Sequence, residues 1–268
     1  MPRVHGPAYI LRVWDMGESD LLVSFLEEHR GKRRGVAKGA RKSRKRFGGL
    51  LAPLVLIQLE YVQRPGRPLV RLEGCSLIRH HAGVCEHLGK LLVACCMREI
   101  LERVLPEEEG GEDFFPLLHR TLASLDRDES PGCHLWIFLL RALGLLGLEP
   151  QLDRCIHCRR PLAPAGLFGF SVPLGGPVCG ACFGKGTSTH RAHAESLRLM
   201  RQWLHDPCTE PGSCTYTGRA LREASDLIET FYRHHVAGEF RSLRVLKDVG
   251  RCLARHRKED ACDCSGPD

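Results

Sequence analysis

Four cysteines are spaced to do chemistry together. Cys155-Ile-His-Cys158 and Cys179-Gly-Ala-Cys182 form a CxxC pair repeated across twenty intervening residues. Two thiolates separated by two residues can turn onto one cation, and two such knuckles complete a tetrahedral S4 shell, which suits zinc. With all four positions taken by protein no place is left for water, so the expected metal is structural rather than catalytic. Glycines at 175, 176, 180 and 184 offer the tight backbone such knuckles need. His157 lies inside the first knuckle as a competing ligand, but four cysteines already fill the shell. The rival use of a CxxC pair, a redox dithiol, belongs in a thioredoxin-like βαβ pattern, and the flanks here read as helical. The other ten cysteines show no paired spacing; Cys95-Cys96 reads as partly core, and Cys262 and Cys264 as exposed thiols.

A second chemical signal is a run of cations. From Arg30 to Arg46 there are ten Lys or Arg and no acid: Arg30, Lys32, Arg33, Arg34, Lys38, Arg41, Lys42, Arg44, Lys45 and Arg46. Against phosphates such a run gains affinity by releasing condensed counterions, so binding should fall steeply with salt. A solvated charged loop or a localisation-like tract would look the same in isolation. Here the run begins in a strand and continues into the loop 39–49, which is a recurrent nucleic-acid surface on small barrels. Phe47 reads equally as a base-stacking platform or as core.

The elements that must position these groups fall into two styles. Short strands are expected at Ala8–Trp14, Asp20–Leu26, Gly31–Lys38, Leu54–Val62 and Leu69–Ile78. In the fourth, Val55, Ile57, Leu59 and Tyr61 alternate with Gln58 and Glu60. Five strands in fewer than 80 residues suit a barrel of the OB type, with an SH3-like barrel as the alternative. Beyond residue 80 the period becomes helical. Val84, Leu88, Leu91, Leu92, Cys95 and Leu101 stripe one helix to about Val104, ended by Pro106 and the acidic run Glu107–Glu109. Further helices are expected at Phe114–Leu125, Cys133–Leu146, His193–Leu204, Gly218–His235 and Ser242–His256. The whole reads as an α+β multidomain chain: a five-stranded OB-type β-barrel over 1–79, an α-helical domain over 80–256 with an embedded four-cysteine zinc module at 150–190, and a disordered polar tail at 257–268.

Composition narrows the function. In 268 residues, 43% hydrophobic and 26% charged is ordinary for a globular chain, and the net charge is +7. Residues 1–75 carry 15 Lys and Arg against 7 Asp and Glu, so all the positive excess lies in the first quarter. That asymmetry points to a polyanionic partner, nucleic acid or an anionic membrane surface. No secretory signal is visible, and the most apolar stretch, Leu135 to Leu148, is broken by Arg141 and too short to span a membrane. Fourteen cysteines in an unsecreted chain argue for reduced thiols and a cytoplasmic location. The sequence holds no phosphate-binding GxxxxGK[ST] loop, GxSxG, HExxH or carboxylate cluster for phosphoryl transfer. His80-His81 and His234-His235 read as structural pairs. A binding protein is expected rather than an enzyme.

The N-terminal segment resembles the RecO family of recombination mediators. The matching stretches are Tyr9-Ile-Leu-Arg12, Gly17-Glu-Ser-Asp-Leu-Leu-Val-Ser24, Gly31-Lys-Arg-Arg-Gly-Val-Ala-Lys-Gly-Ala-Arg-Lys-Ser43 and Phe47-Gly-Gly-Leu-Leu-Ala-Pro53. The central helices, the CxxC pair and Phe240-Arg-Ser-Leu-Arg-Val-Leu246 are similar to the family as well. The resemblance implies an OB domain, a helical bundle and an embedded zinc module. It implies a nucleoid-associated protein that binds single- and double-stranded DNA and anneals complementary strands. Such a protein cooperates with RecR to load RecA onto strands coated by single-strand-binding protein, without hydrolysing ATP. Carried over, the DNA contacts are Lys32, Arg33, Arg34, Lys38, Arg41, Lys42, Arg44 and Lys45, and the zinc ligands are Cys155, Cys158, Cys179 and Cys182. Some members lack the quartet, and Glu107–Glu109 has no assigned role. The competing readings are a zinc-ribbon RNA-binding factor of transcription or translation and a zinc-stabilised scaffold.

Overall fold

The computed structural model describes residues 3–129, 131–184, 189–205, 216–236 and 241–251. The tail at 257–268, with Cys262 and Cys264, lies outside these, as do Phe240 and the last residues of the expected helix Ser242–His256.

Five strands, β1 (Arg3–Met16), β2 (Asp20–Glu27), β3 (Gly31–Ala37), β4 (Leu56–Val62) and β5 (Val70–Arg79), close into a barrel in the order β1-β2-β3-β5-β4. All pairs are antiparallel except β3 with β5, which run parallel over Gly35–Ala37 and Val70–Leu72. This is the OB connectivity, and it settles the choice against an SH3-like barrel. The first strand is much longer than the expected Ala8–Trp14, and Gly6 and Pro7 sit in its ladder opposite Leu59 and Gln58. One half of β1 pairs with β4 and the other with β2, and a register shift between Ile10 and Arg12 bends it to serve both.

The same strand shows why the barrel does not stand alone. Ala8 and Ile10 point into the barrel core with Phe25, Ile57, Leu59 and Tyr61. Tyr9 and Leu11 point the other way, into a core shared with the helices. Tyr9 donates or accepts at His81 Nε2 (3.1 Å) and His119 Nδ1 (2.9 Å), so a buried polar group inside that joint is satisfied from two helical segments. Burial raises the Tyr9 pKa far above its ordinary value, keeping the phenol neutral.

The expected helix from Val84 to Val104 is two: α1 (Ala82–Cys85) and α2 (Leu88–Val104), separated at Glu86-His87. The apolar stripe runs across the break, which is why periodicity alone joins them. Helices α3 (Gly111–Arg127) and α4 (His134–Leu145) follow, and α4 is buried nearly all round, as its composition requires. Among the described residues, no helix is long and apolar enough to cross a membrane.

The Gly- and Pro-rich insertion carries a three-stranded sheet that its composition conceals. Strands β6 (Leu167–Ser171), β7 (Gly176–Val178) and β8 (Thr189–His193) lie in the order β7-β6-β8. His193, expected to open a helix, instead ends β8, and α5 runs Ala194–His205. Helix α6 is Gly218–His235, capped by the Thr217 hydroxyl, which accepts from Ala220 N at 3.1 Å. Residues 241–251 are helical. Phe168, Phe170 and Ala192 join the main core, whereas Cys155, Val178 and Cys182 form a small satellite cluster.

Candidate metal centre and nucleic-acid interface

The quartet assembles as its spacing predicts: the four sulfurs of Cys155, Cys158, Cys179 and Cys182 lie within 4.8 Å of one another. A tetrahedron with Zn–S bonds of about 2.3 Å has edges of about 3.8 Å, and the Cys158 and Cys179 sulfurs are 3.7 Å apart. That separation is far beyond a disulfide bond. The first knuckle is a tight hairpin in which Cys155 O accepts from Arg159 N and Cys155 N donates to Arg160 O, both at 2.9 Å, with Arg159 left-handed at φ 61°. Three of the four expected glycines have a structural reason. Gly175 and Gly184 have positive φ, and a Cβ on Gly176 would meet Ile156 Cγ2 at 2.4 Å. Gly180 has open space around it and an ordinary φ. His157 is exposed and stands outside the cluster, contributing only its backbone N–H.

The electrostatics fit a cation. Burial alone would raise the Cys155 thiol, but backbone N–H groups of Cys158, Cys179 and His157 aimed at its sulfur bring it down to about 6. Cys182 goes the other way, pushed up to about 12 by burial first and by the neighbouring sulfurs second. Four thiols this close cannot all ionise by themselves, and a bound divalent cation removes that conflict as it displaces their protons. The donor set is compatible with a structural zinc.

The basic run divides. Lys32 and Arg33 are only 4% and 6% exposed. Lys32 Nζ donates to Glu102 O at 2.8 Å, and burial, its largest influence, lowers the ammonium pKa against the opposing pull of Glu102. Arg33 is ion-paired with Glu108 and donates to the Tyr61 hydroxyl at 3.3 Å, which in turn donates to the buried Glu27 carboxylate at 3.2 Å. Arg34, partly exposed, faces Glu107 at 3.3 Å and Glu102 at 3.8 Å.

The acidic run therefore has a place. Glu107–Glu109 lies along the free edge of β3, with Glu108 N donating to Lys32 O (2.7 Å) and Lys32 N donating to Glu109 O (3.0 Å). β5 covers only Gly35–Ala37, so this segment satisfies the first part of the strand. Gly31 makes the approach feasible: it has φ +72°, and a Cβ there would sit 2.1 Å from Glu109 O. Sequence reading missed Glu102, Glu108 and Tyr61 as partners. The signal was an acid triplet next to a helix end in a chain whose cations cluster elsewhere.

Lys38, Arg41, Lys42, Arg44 and Lys45 are exposed on the turn-rich loop between β3 and β4. The loop is pinned rather than free. Asp20 Oδ1 accepts from Gly39 N at 2.8 Å, and Ser19 O accepts from Arg41 N at 3.1 Å. The Gly39 contact is the main reason the Asp20 carboxyl sits below its ordinary pKa. At the other end Arg46 O accepts from Cys75 N at 3.0 Å. Phe47 is 2% exposed and closes the barrel core with Leu51 and Ala40, which resolves its ambiguity in favour of packing. An exposed Arg41–Asp15 pair at 3.4 Å is the one carboxylate contact among these five cations, within the described residues.

Two family models divide the chain between them. "Recombination protein O N terminal" matches residues 1–81, and "Recombination protein O C terminal" matches residues 85–244. The DNA repair protein RecO of Desulfatibacillum aliphaticivorans is 35% identical over 261 residues, covering 94% of this chain and 99% of the relative. That of Anaeromyxobacter sp. (strain Fw109-5) is 33% identical over 249 residues, covering 91% and 95%. That of Myxococcus xanthus (strain DK1622) is 31% identical over 251 residues, covering 93% and 99%. With a barrel and a helical unit each matched by its own family model, the chain belongs to the recombination protein O (RecO) family.

Proposed function

We propose that this chain is a non-catalytic mediator of DNA repair that binds single- and double-stranded DNA and anneals complementary strands. With RecR, it helps load RecA onto strands coated by single-strand-binding protein, in the cytoplasm at the nucleoid. The observation that carries this reading is the set of five exposed cations, Lys38, Arg41, Lys42, Arg44 and Lys45, held on a pinned loop of an OB barrel. Such a surface neutralises phosphates without reading bases, and lowering the repulsion between two strands lets them pair. Lys32, Arg33 and Arg34 support the surface from behind by fixing β3 to the helical unit. Residues 1–79 would be the DNA-binding domain, 80–256 the helical domain, and 257–268 a tail.

Cys155, Cys158, Cys179 and Cys182 would hold one zinc, which supplies cross-linking of the two knuckles and no reaction chemistry. Elemental analysis should find one zinc per chain, and Cys179→Ser should lose it, with greater proteolysis within 150–184 and DNA affinity retained. The deciding experiment is the annealing rate of complementary strands coated with single-strand-binding protein, without ATP. Acceleration that disappears when Lys38, Arg41 and Lys42 are reversed to Glu supports the reading. No acceleration, or acceleration indifferent to these residues, overturns it.

A further inference from the structure

The outer face of the barrel carries a second cationic feature away from the loop. Cross-strand register places Arg12 opposite Ser24 and Ser24 opposite Arg34, with Trp14 opposite Leu22 in the next row. Helix α2 and the start of the helical segment 241–251 stand over this face. They enclose a cleft of about 600 Å³ into which Arg12, Trp14, Arg34, Arg98, Arg103 and Arg241 converge. The Arg12 and Arg34 guanidinium carbons lie 4.8 and 5.8 Å from the Trp14 ring centre.

The two acids of the cleft are already committed. Glu102 accepts from the Ser24 hydroxyl at 2.6 Å and faces Arg34. Glu99 accepts from the backbone N–H groups of Arg241 (3.0 Å) and Ser242 (2.8 Å) and faces Arg103 at 3.7 Å. Among the described residues no carboxylate pairs with Arg12, Arg98 or Arg241. Arg98 donates from Nη1 to Leu11 O at 2.7 Å, but its buried Nε has no hydrogen-bond acceptor. A buried guanidinium N–H without an acceptor, in a cleft of uncompensated cations, calls for an anion.

We propose that this cleft is a single-strand-selective subsite, taking a phosphate between Arg12, Arg98 and Arg241 and a base against Trp14. The volume, lined from β1, β3, α2 and residues 241–242, suits a single nucleotide rather than a stretch of paired duplex. Arg34 and Val36 share one side of β3 by strand alternation and the exposed Lys38 directly follows the end of the strand, which links the cleft to the loop within the reach of a few nucleotides. Base stacking on a tryptophan flanked by arginines is the arrangement by which sequence-tolerant single-strand binders hold unpaired bases. The inference rests on the DNA-binding reading above and adds where single and double strands part ways.

The test uses the full-length protein with a labelled thymidine oligonucleotide and a duplex of equal length, titrated over a range of salt. R12Q/R241Q should weaken the oligonucleotide about tenfold and lower its salt slope by about 1.4, two contacts at roughly 0.7 each, while leaving the duplex unchanged. W14F should weaken the oligonucleotide alone and remove the fluorescence quenching it causes in the unaltered protein. Equal losses for oligonucleotide and duplex would reduce the cleft to general electrostatics and overturn the proposal, as would no loss in either. Binding of an oligo-glutamate peptide that is lost in R12Q/R241Q, with oligonucleotide binding intact, would overturn it in favour of an acidic protein segment. Failure of the unaltered protein to bind either DNA would instead sink the DNA-binding reading itself.

Discussion

Strand β3 and the loop after it draw on one uninterrupted run of cations, yet their charges serve opposite ends. Lys32 and Arg33 are 4% and 6% exposed and answer to Glu102, Glu108 and Tyr61. Lys38, Arg41, Lys42, Arg44 and Lys45, a few residues later, stand in solvent on a loop tied down by Asp20 and Ser19. Both halves are rich in cations and free of acids; what differs is whether another part of the chain reaches them. A buried cation must be paired, and losing its partner is costly, whereas an exposed one contributes little to stability and is free for a ligand. Counting cations along a sequence therefore overstates a binding surface wherever an acidic segment folds back on it.

Substitutions can pull the two halves apart. The largest expected effect is on the strand half: Gly31→Ala puts a Cβ into Glu109 backbone at positive φ, so stability should fall by about 3–4 kcal/mol in urea titration. A variant within about 0.5 kcal/mol of the parent would show that the segment 107–109 does not need its close approach. Next comes the loop half. K38E/R41E/K42E should weaken single-stranded DNA about 100-fold, roughly 2.7 kcal/mol, and flatten the salt slope by about 2, with the unfolding midpoint unmoved. If the midpoint fell instead, the loop would be structural and the contrast would collapse. Arg33→Ala should cost about 2 kcal/mol of stability, since it strips a charged hydrogen-bond partner from Tyr61 and Glu108. The folded fraction should bind DNA as before; a matching loss of affinity would return Arg33 to the interface.

The smallest effect is a pH dependence. The hydrogen bond from Arg33 holds the Glu108 carboxyl below its ordinary value. A carboxylate with a depressed pKa adds stability above its unfolded value near about 4.3, and this is lost as pH falls through the depressed one. The contribution, about half a kcal/mol given the exposure of Glu108, should be absent in Glu108→Gln. Identical acid profiles for parent and variant would mean that Glu108 holds the edge of β3 by backbone alone.

Much of the architecture was legible because it follows from local rules. The alternation of Ile57, Leu59 and Tyr61 with Gln58 and Glu60 could serve only a half-buried strand, and the structure buries that set. The two CxxC knuckles needed only their spacing to bring four sulfurs together. Where local signals competed, the reading slipped. The expected first strand began at Ala8, yet Gly6-Pro7 lies inside β1, and the Gly- and Pro-rich insertion hid β6, β7 and β8, whose pairing partners supply what their propensity lacks.

Local pattern alone was enough for the barrel, the helical unit, the cysteine quartet and the position of the positive charge, since each depends on periodicity, spacing or counting within a short span. Which charges remain available was fixed only when the chain folded. The glutamate partners of Lys32 and Arg33 lie some 70 to 75 residues away, and the cleft beside Trp14 joins β1, β3, α2 and residues past 240. Burial and pairing are properties of what arrives from elsewhere in the chain, and no local pattern around a lysine or an arginine records its distant neighbour.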